Sequence, residues 1–124
     1  MAENLIRAAV ASQGGQTVDR HFGRASRFEL YLWNGRSFAW EGERTVPALC
    51  GEEGHGEGLG TALARFSDCR FVLAAAAGPA VVQGLAACGI AFLSTEDPVV
   101  PALARVAASP LYRNVFIPRS TPRV

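Results

Sequence analysis

The chain has 124 residues, of which 49% are hydrophobic and 19% are charged, and its formal net charge is +1. This length and composition indicate one globular domain with its own hydrophobic core, and they exclude a disordered chain. A charge so close to neutrality argues against a nucleic-acid partner bound through its phosphates. No apolar stretch is long enough to span a membrane.

The first half of the chain predicts three strands. Residues 5–12 are almost continuously apolar, which is typical of a strand that is buried on both faces. After a flexible turn, residues 28–33 alternate in hydrophobicity and are rich in β-forming side chains, which favours a second strand. Asn34-Gly35 is a strong hairpin signal, so a third strand over residues 36–45 should return antiparallel to the second.

The second half alternates helices with strands after a glycine-rich loop. The predicted elements are helices over residues 58–67, 78–87 and 97–108, and strands over residues 69–76 and 90–94. Gly89 should end the middle helix in the left-handed conformation. Asp97 and Pro98 are expected to open the last helix, as its cap and its first-turn proline.

This order of elements, β-β-β-α-β-α-β-α, predicts an α/β domain. The sheet should be mixed and five-stranded, with strand order 3-2-1-4-5 and about three helices. We expect the domain to cover residues 1–108 and residues 109–124 to form an extended or partly disordered tail. The topology places a switch point between the first and fourth strands, where open α/β sheets bind ligands beyond the carboxyl ends of their strands.

Candidate metal ligands lie in two segments that this topology brings toward the switch point. His21 lies in the turn after the first strand, and Cys50 and His55 lie in the glycine-rich loop. Imidazole nitrogen and cysteine thiolate bind iron in sulfide clusters, and these clusters are anionic, so Arg20 and Arg24 would favour them. His21 could instead simply brace its loop, and the Cys50–His55 spacing is by itself a weak metal signal.

The remaining cysteines and aromatic residues favour structural roles. The three cysteines are widely spaced and form no Cys-x-x-Cys pair, which indicates a reducing, cytoplasmic compartment. Cys69 and Cys88 are expected to be small buried hydrophobic residues, and Phe22 to plug the core. No phosphate-binding loop and no nucleophile elbow is present in the sequence, so we expect no enzyme and assign no catalytic residue.

Several runs of the sequence match one known family. The run Val-Asp-Arg-His-Phe-Gly-Arg-Ala at residues 18–25, with the strands on either side of it, resembles the dinitrogenase iron–molybdenum cofactor biosynthesis family, of the NifX, NafY and NifB C-terminal-domain type. Residues 63–73 and 85–90 look like that family's helix, Asp-Cys, strand segment and its Leu-x-x-x-Gly-Ile segment. The resemblance covers about residues 5 to 107.

The resemblance implies a ribonuclease-H-like three-layer fold and a non-enzymatic carrier role. The cargo would be an iron–sulfur precursor of the NifB-co kind, or the iron–molybdenum cofactor itself, during nitrogenase assembly. The implied partners are a NifB-like protein, a NifEN-like scaffold and apo-dinitrogenase. His21 corresponds to the position most tied to cofactor binding, and the loop with Cys50 and His55 is more like NifB-type members. Where relatives often have a cysteine or isoleucine before Gly78, this chain has alanine.

Two other functions are weighed beside the carrier. A protein-interaction module could bind a nitrogenase component without touching its cofactor, using Trp33, Trp40 and the arginines of the tail. A nuclease would need several carboxylates around two metal ions, and the predicted strand ends offer Asp19 and little else.

Overall fold

The structure, a computed structural model, describes residues 5–47 and 58–116. The strands within these ranges are β1 Arg7–Ala11, β2 Arg27–Trp33, β3 Phe38–Thr45, β4 Phe71–Ala74 and β5 Ala91–Ser94. The α-helices there are α1 Leu59–Ala64, α2 Pro79–Ala87, α3 Val99–Ala108 and α4 Arg113–Phe116. Short 3₁₀ turns span Phe22–Arg24 and Pro110–Tyr112.

The five strands form one mixed sheet in the order β3-β2-β1-β4-β5. β1 pairs antiparallel with β2 and parallel with β4, and β4 pairs parallel with β5. The predicted fold class and strand order are therefore confirmed. The described residues contain one α-helix more than expected, because a short helix follows α3.

The central strand β1 is covered on both faces. Ala9 and Ala11 belong to a core shared with α1 and α2, whereas Ala8 and Val10 belong to a core shared with α3 and the segment after it. Successive side chains of a strand point to opposite faces, so a strand between two layers has no polar face. This three-layer arrangement explains why the β1 sequence does not alternate.

The hairpin between β2 and β3 forms as predicted, but its turn is longer than two residues. The backbone N–H of Asn34 donates to the Ser37 carbonyl (3.0 Å). The Asn34 side-chain oxygen accepts from the backbone N–H groups of Arg36 and Ser37 (2.9 and 3.0 Å). Because these bonds close a four-residue turn, the third strand begins at Phe38 and not at residue 36.

The start of the last helix differs from the prediction. Pro98 is the N-cap residue of α3, and no side chain caps this helix end. The Asp97 carboxylate instead accepts hydrogen bonds from Thr95 Oγ1 (3.0 Å) and from Arg105. The Arg105 guanidinium, eight residues further along, binds the carboxylate that would otherwise cap the backbone of the helix.

The segment after α3 returns to the sheet. The sequence predicts an extended or partly disordered tail from residue 109, but Pro110–Phe116 is helical over most of its length. The Phe116 ring stacks on Phe71 (centroids 5.8 Å apart, planes 3° apart) and meets Trp33 edge-on (4.7 Å). This aromatic packing explains the difference, and residues 117–124 lie outside the described part of the chain. No helix in the described ranges is long and apolar enough to cross a membrane.

Candidate functional site

The chain continues beyond β1 and β4 along two neighbouring paths. The backbone N–H of Ala75 donates to the Arg20 carbonyl (2.9 Å), and the N–H of Phe22 donates to the Ala76 carbonyl (2.8 Å). His21 and Ala76 form an isolated parallel bridge. Beyond this point the chain leads from β1 to its neighbour β2 and from β4 to its neighbour β5, which lie in opposite directions along the strand order. This reversal makes the point a topological switch point. The predicted segment with His21 thus lies at the switch point, and the segment with Cys50 and His55 lies outside the described residues.

Phe22 fixes the loop to the core, as predicted. Its side chain is buried, and its ring lies 5.6 Å from the Phe28 ring and 5.4 Å from the Phe66 ring, centroid to centroid. His21, the residue before the 3₁₀ turn, has an extended backbone, and its side chain is exposed while the Phe22 side chain is buried. The aromatic anchor thereby determines where the imidazole lies.

The His21 imidazole already makes one hydrogen bond. Its Nδ1 accepts from the backbone N–H of Gly23 (3.0 Å), so His21 is the N-cap of the 3₁₀ turn that contains Arg24. A nitrogen that accepts carries no proton, so the neutral ring has its proton on Nε2. Iron ligation by a neutral imidazole uses one of these nitrogens and leaves the proton on the other. Ligation at either nitrogen therefore requires the Gly23 bond to be given up.

A polar cavity of about 360 Å³ lies between the loop after β1 and the start of β2. Its lining residues are all polar or charged: Ser12, Gln13, Arg20, Arg24, Ser26 and Arg27. Arg20 and Arg24, both predicted for the site, are thus brought together, whereas His21 is not part of this lining. Arg27 was missed, because it enters through the antiparallel pairing of Ala11 with Phe28, which sets the first residue of β2 beside the end of β1.

The arginines of this cavity differ in how their charge is balanced. Arg27 forms ion pairs with Glu29 (3.0 Å) and Glu43 (2.6 Å). Arg20 donates to the neutral side-chain amide of Gln13. Arg24 makes no side-chain hydrogen bond or ion pair with any residue that the structure describes. Arg20 and Arg24 are therefore the arginines of this cavity that form no ion pair with a described residue.

Neither described cysteine joins this site. Cys69 is buried just before β4, at the opposite end of that strand, and burial together with the Asp68 charge raises the pKa of its thiol to about 12. Cys88 is exposed, so its predicted burial is wrong, because it lies on the outer side of the C-terminal end of α2. Within residues 5–47 and 58–116, no three His, Cys, Asp or Glu side chains gather in a group that could hold a metal ion.

The turn after β4 contributes backbone only, as its alanines predict. Its hydrogen bonds to the loop after β1 are made by the main chain of Ala75 and Ala76. The site thus consists of one exposed imidazole, a backbone platform and a basic cavity.

Comparison with known proteins matches the sequence to one family. The family model for dinitrogenase iron–molybdenum cofactor matches residues 4–109. The chain belongs to this family. Over 83 residues it is 34% identical to the FeMo cofactor biosynthesis protein NifB of Herbaspirillum seropedicae, a match that covers 66% of the chain and 16% of that relative. Over 92 residues it is 32% identical to NifB of Bradyrhizobium diazoefficiens, a match that covers 73% of this chain and 18% of that relative. The chain thus spans less than a fifth of the length of either relative.

Solved structures share the fold. The crystal structure of PH0822 superimposes with a TM-score of 0.64 at 18% identity, covering 83% of this chain and 91% of that one. The NMR structure of a putative NifB protein from Thermotoga gives a TM-score of 0.59 at 18% identity, covering 84% of this chain and 89% of that one. At this identity the likeness establishes the three-layer fold, and the family assignment depends on the sequence matches.

Proposed function

We propose that this chain carries an iron–sulfur precursor, or the iron–molybdenum cofactor, during nitrogenase cofactor assembly, and that it does so without catalysing a reaction. The observation that carries the proposal is the position of His21. The family's His-Phe-Gly run presents an exposed imidazole at the switch point of the sheet, beside a cavity in which Arg20 and Arg24 form no ion pair with a described residue. Imidazole binds iron, and cationic side chains favour an anionic cluster.

Each residue of the site has its own part in this proposal. His21 contacts the cargo, either as an N–H donor through Nε2 or as a ligand after the Gly23 bond is released. Arg20 and Arg24 attract the cluster by charge. Cys50 and His55 stay predicted ligands, and a NifB-like protein, a NifEN-like scaffold and apo-dinitrogenase stay the proposed partners.

The test is an anaerobic titration with the isolated cofactor, followed by its absorption spectrum. We expect His21→Asn to bind the cofactor about tenfold more weakly than the parent, or worse, because it removes the imidazole. Asn is a good N-cap residue, so its side-chain oxygen can still accept from the Gly23 N–H and preserve the turn. Loss of binding in this variant therefore reports on the cofactor contact and not on folding.

The matched control is Arg70→Gln, which removes one exposed charge at the opposite end of β4. It should bind like the parent. Equal affinity of the parent and His21→Asn would overturn the central role of His21. Cys50→Ser and His55→Asn in the same titration decide whether the second predicted segment contributes ligands.

A second candidate is a module that binds a nitrogenase component without touching the cofactor. Trp40 favours it, because its indole is 62% exposed while its N–H donates to the buried Glu29 carboxylate (2.7 Å). Trp33, by contrast, is half-buried against Phe38 and Phe116. Capture of apo-dinitrogenase that survives His21→Asn but not Trp40→Ala would favour this second function.

A further inference from the structure

The loop that forms one wall of the basic cavity is fastened at several points. The Ser12 hydroxyl is fully buried, donates to the Thr17 carbonyl (2.7 Å) and accepts from the Gly15 N–H (2.8 Å). The Gln13 N–H donates to the Asp19 carboxylate (3.0 Å). These bonds hold both ends of the loop, so the cavity exists before any ligand enters it.

The opposite wall is held by a buried carboxylate. Glu29 is only 3% exposed, and its Oε2 accepts from Arg27 Nε (3.0 Å) while its Oε1 accepts from Trp40 Nε1 (2.7 Å). A buried carboxylate is costly unless it is paired and hydrogen-bonded, and this one is both. Glu29 therefore acts as a positioning residue that keeps the Arg27 guanidinium at the cavity wall.

The lining of the cavity contains three arginines and neither Asp nor Glu. Arg20 and Arg24 form no ion pair with a described carboxylate, and Ser26 adds a hydroxyl at the lining. Guanidinium groups form paired, charge-assisted hydrogen bonds with the oxygens of carboxylates and phosphates. These donors therefore suit an oxygen-bearing anion such as a carboxylate or a phosphate.

We propose that this cavity is a binding site for a small multivalent oxyanion, which Arg20 and Arg24 hold directly and whose site Arg27 completes. This inference goes beyond the proposed function, because the anion site is formed by this chain alone. A free carboxylate or phosphate should therefore bind to it in the absence of any cluster.

The experiment is calorimetric titration of the metal-free protein with inorganic phosphate and, in a second series, with malonate, at low and constant ionic strength. We expect saturable binding in at least one series. The series that shows binding distinguishes a phosphate ligand from a carboxylate ligand. Arg24→Gln should weaken binding about tenfold or more, since it removes hydrogen bonds to a charged group. Arg24 is exposed and unpaired within the described residues, so this variant should fold like the parent.

Arg70→Gln is the matched control and should bind the anion like the parent. His21→Asn should also bind it unchanged, because His21 does not line the cavity. Absence of saturable binding, or equal weakening by Arg70→Gln, would overturn the anion site. A negative result in this anion titration does not change the expected result of the cofactor titration with His21→Asn. A negative result in the cofactor titration likewise leaves the anion site standing, so each proposal can be refuted separately.

Discussion

At the scale of single residues, His21 combines two roles that the sequence presents as alternatives. The structure bears out the bracing role, since Nδ1 caps the turn through the Gly23 N–H. The ring is exposed, which is compatible with the proposed contact between His21 and the cofactor. Both depend on Phe22, whose burial orients the segment. A short His-Phe-Gly run can thus specify an anchor, a turn and a presented imidazole.

The hydrogen bond from Gly23 predicts the tautomer of His21 in the empty protein. Because Nδ1 accepts, the neutral ring should carry its proton on Nε2. Nitrogen-15 NMR of histidine-labelled protein with the ring in its neutral form measures this directly. A ring with the proton on Nδ1 would contradict the cap bond. His55 supplies a second histidine signal, which His55→Asn removes so that the His21 resonances can be assigned.

At the scale of elements, the end of α2 shows how a local signal fixes a boundary. Gly89 has φ +80°, in the left-handed region, and its N–H donates to the Ala86 carbonyl (3.0 Å). The next N–H, of Ile90, donates to the Leu85 carbonyl (2.9 Å). These two bonds form a Schellman motif, and glycine is the residue that adopts its left-handed position without strain.

Gly89→Ala should therefore lower the free energy of unfolding by about 1 kcal/mol, because alanine is strained at positive φ. Gly60→Ala is the matched control. Gly60 lies inside α1, and an added Cβ would meet nothing within 4 Å. That change should raise stability by up to about 1 kcal/mol through helix propensity. Urea denaturation of both variants checks the signs, and an unchanged or increased stability of Gly89→Ala would contradict this account.

The sequence predicts elements well where a local pattern determines them and poorly where distant partners decide. Buried strands, the Asn34-Gly35 hairpin and the Gly89 helix end follow from local chemistry, and with them the strand order. The role of Asp97 depends on Arg105, and the helical segment after α3 depends on aromatic packing against Phe71. In the same way, His21, Arg20 and Arg24 could be read from one loop. Arg27 could not, since its place follows from the strand register.

At the scale of the whole molecule, an ion-pair network ties the amino ends of the parallel strands to the hairpin. The Asp68 carboxylate pairs with Arg44 on β3 (2.7 Å) and with Arg7 on β1 (3.1 Å), and Arg7 also pairs with Glu41 on β3 (2.8 Å). The hydrogen bonds from Arg44 lower the pKa of Asp68 from 3.8 to about 2. This network joins segments far apart in the chain, from the amino end of β1 to the second half of β3.

Asp68→Asn should destabilise the fold by about 1 kcal/mol at pH 7, as expected for a partly exposed network. A carboxyl group whose pKa is lowered on folding stabilises the fold above its unfolded pKa and loses that contribution as the pH falls through the folded value. The difference between parent and variant should therefore persist above about pH 4 and shrink toward pH 2. Denaturation at several pH values measures it. Glu96 is exposed and forms no ion pair in the described chain, so Glu96→Gln should have the same free energy of unfolding as the parent. A destabilisation by Asp68→Asn that stays constant down to pH 2 would refute the mechanism.

If His21 ligates iron, as proposed above, its bond to the Gly23 N–H would influence how a bound cluster is released. Iron ligation and the cap bond exclude one another, so the Gly23 N–H would compete with iron for the imidazole. An N-cap bond contributes about 1 kcal/mol, so this competition would lower the affinity for iron about fivefold. On withdrawal of the cluster the turn would close again and recover that free energy, which would favour release over retention.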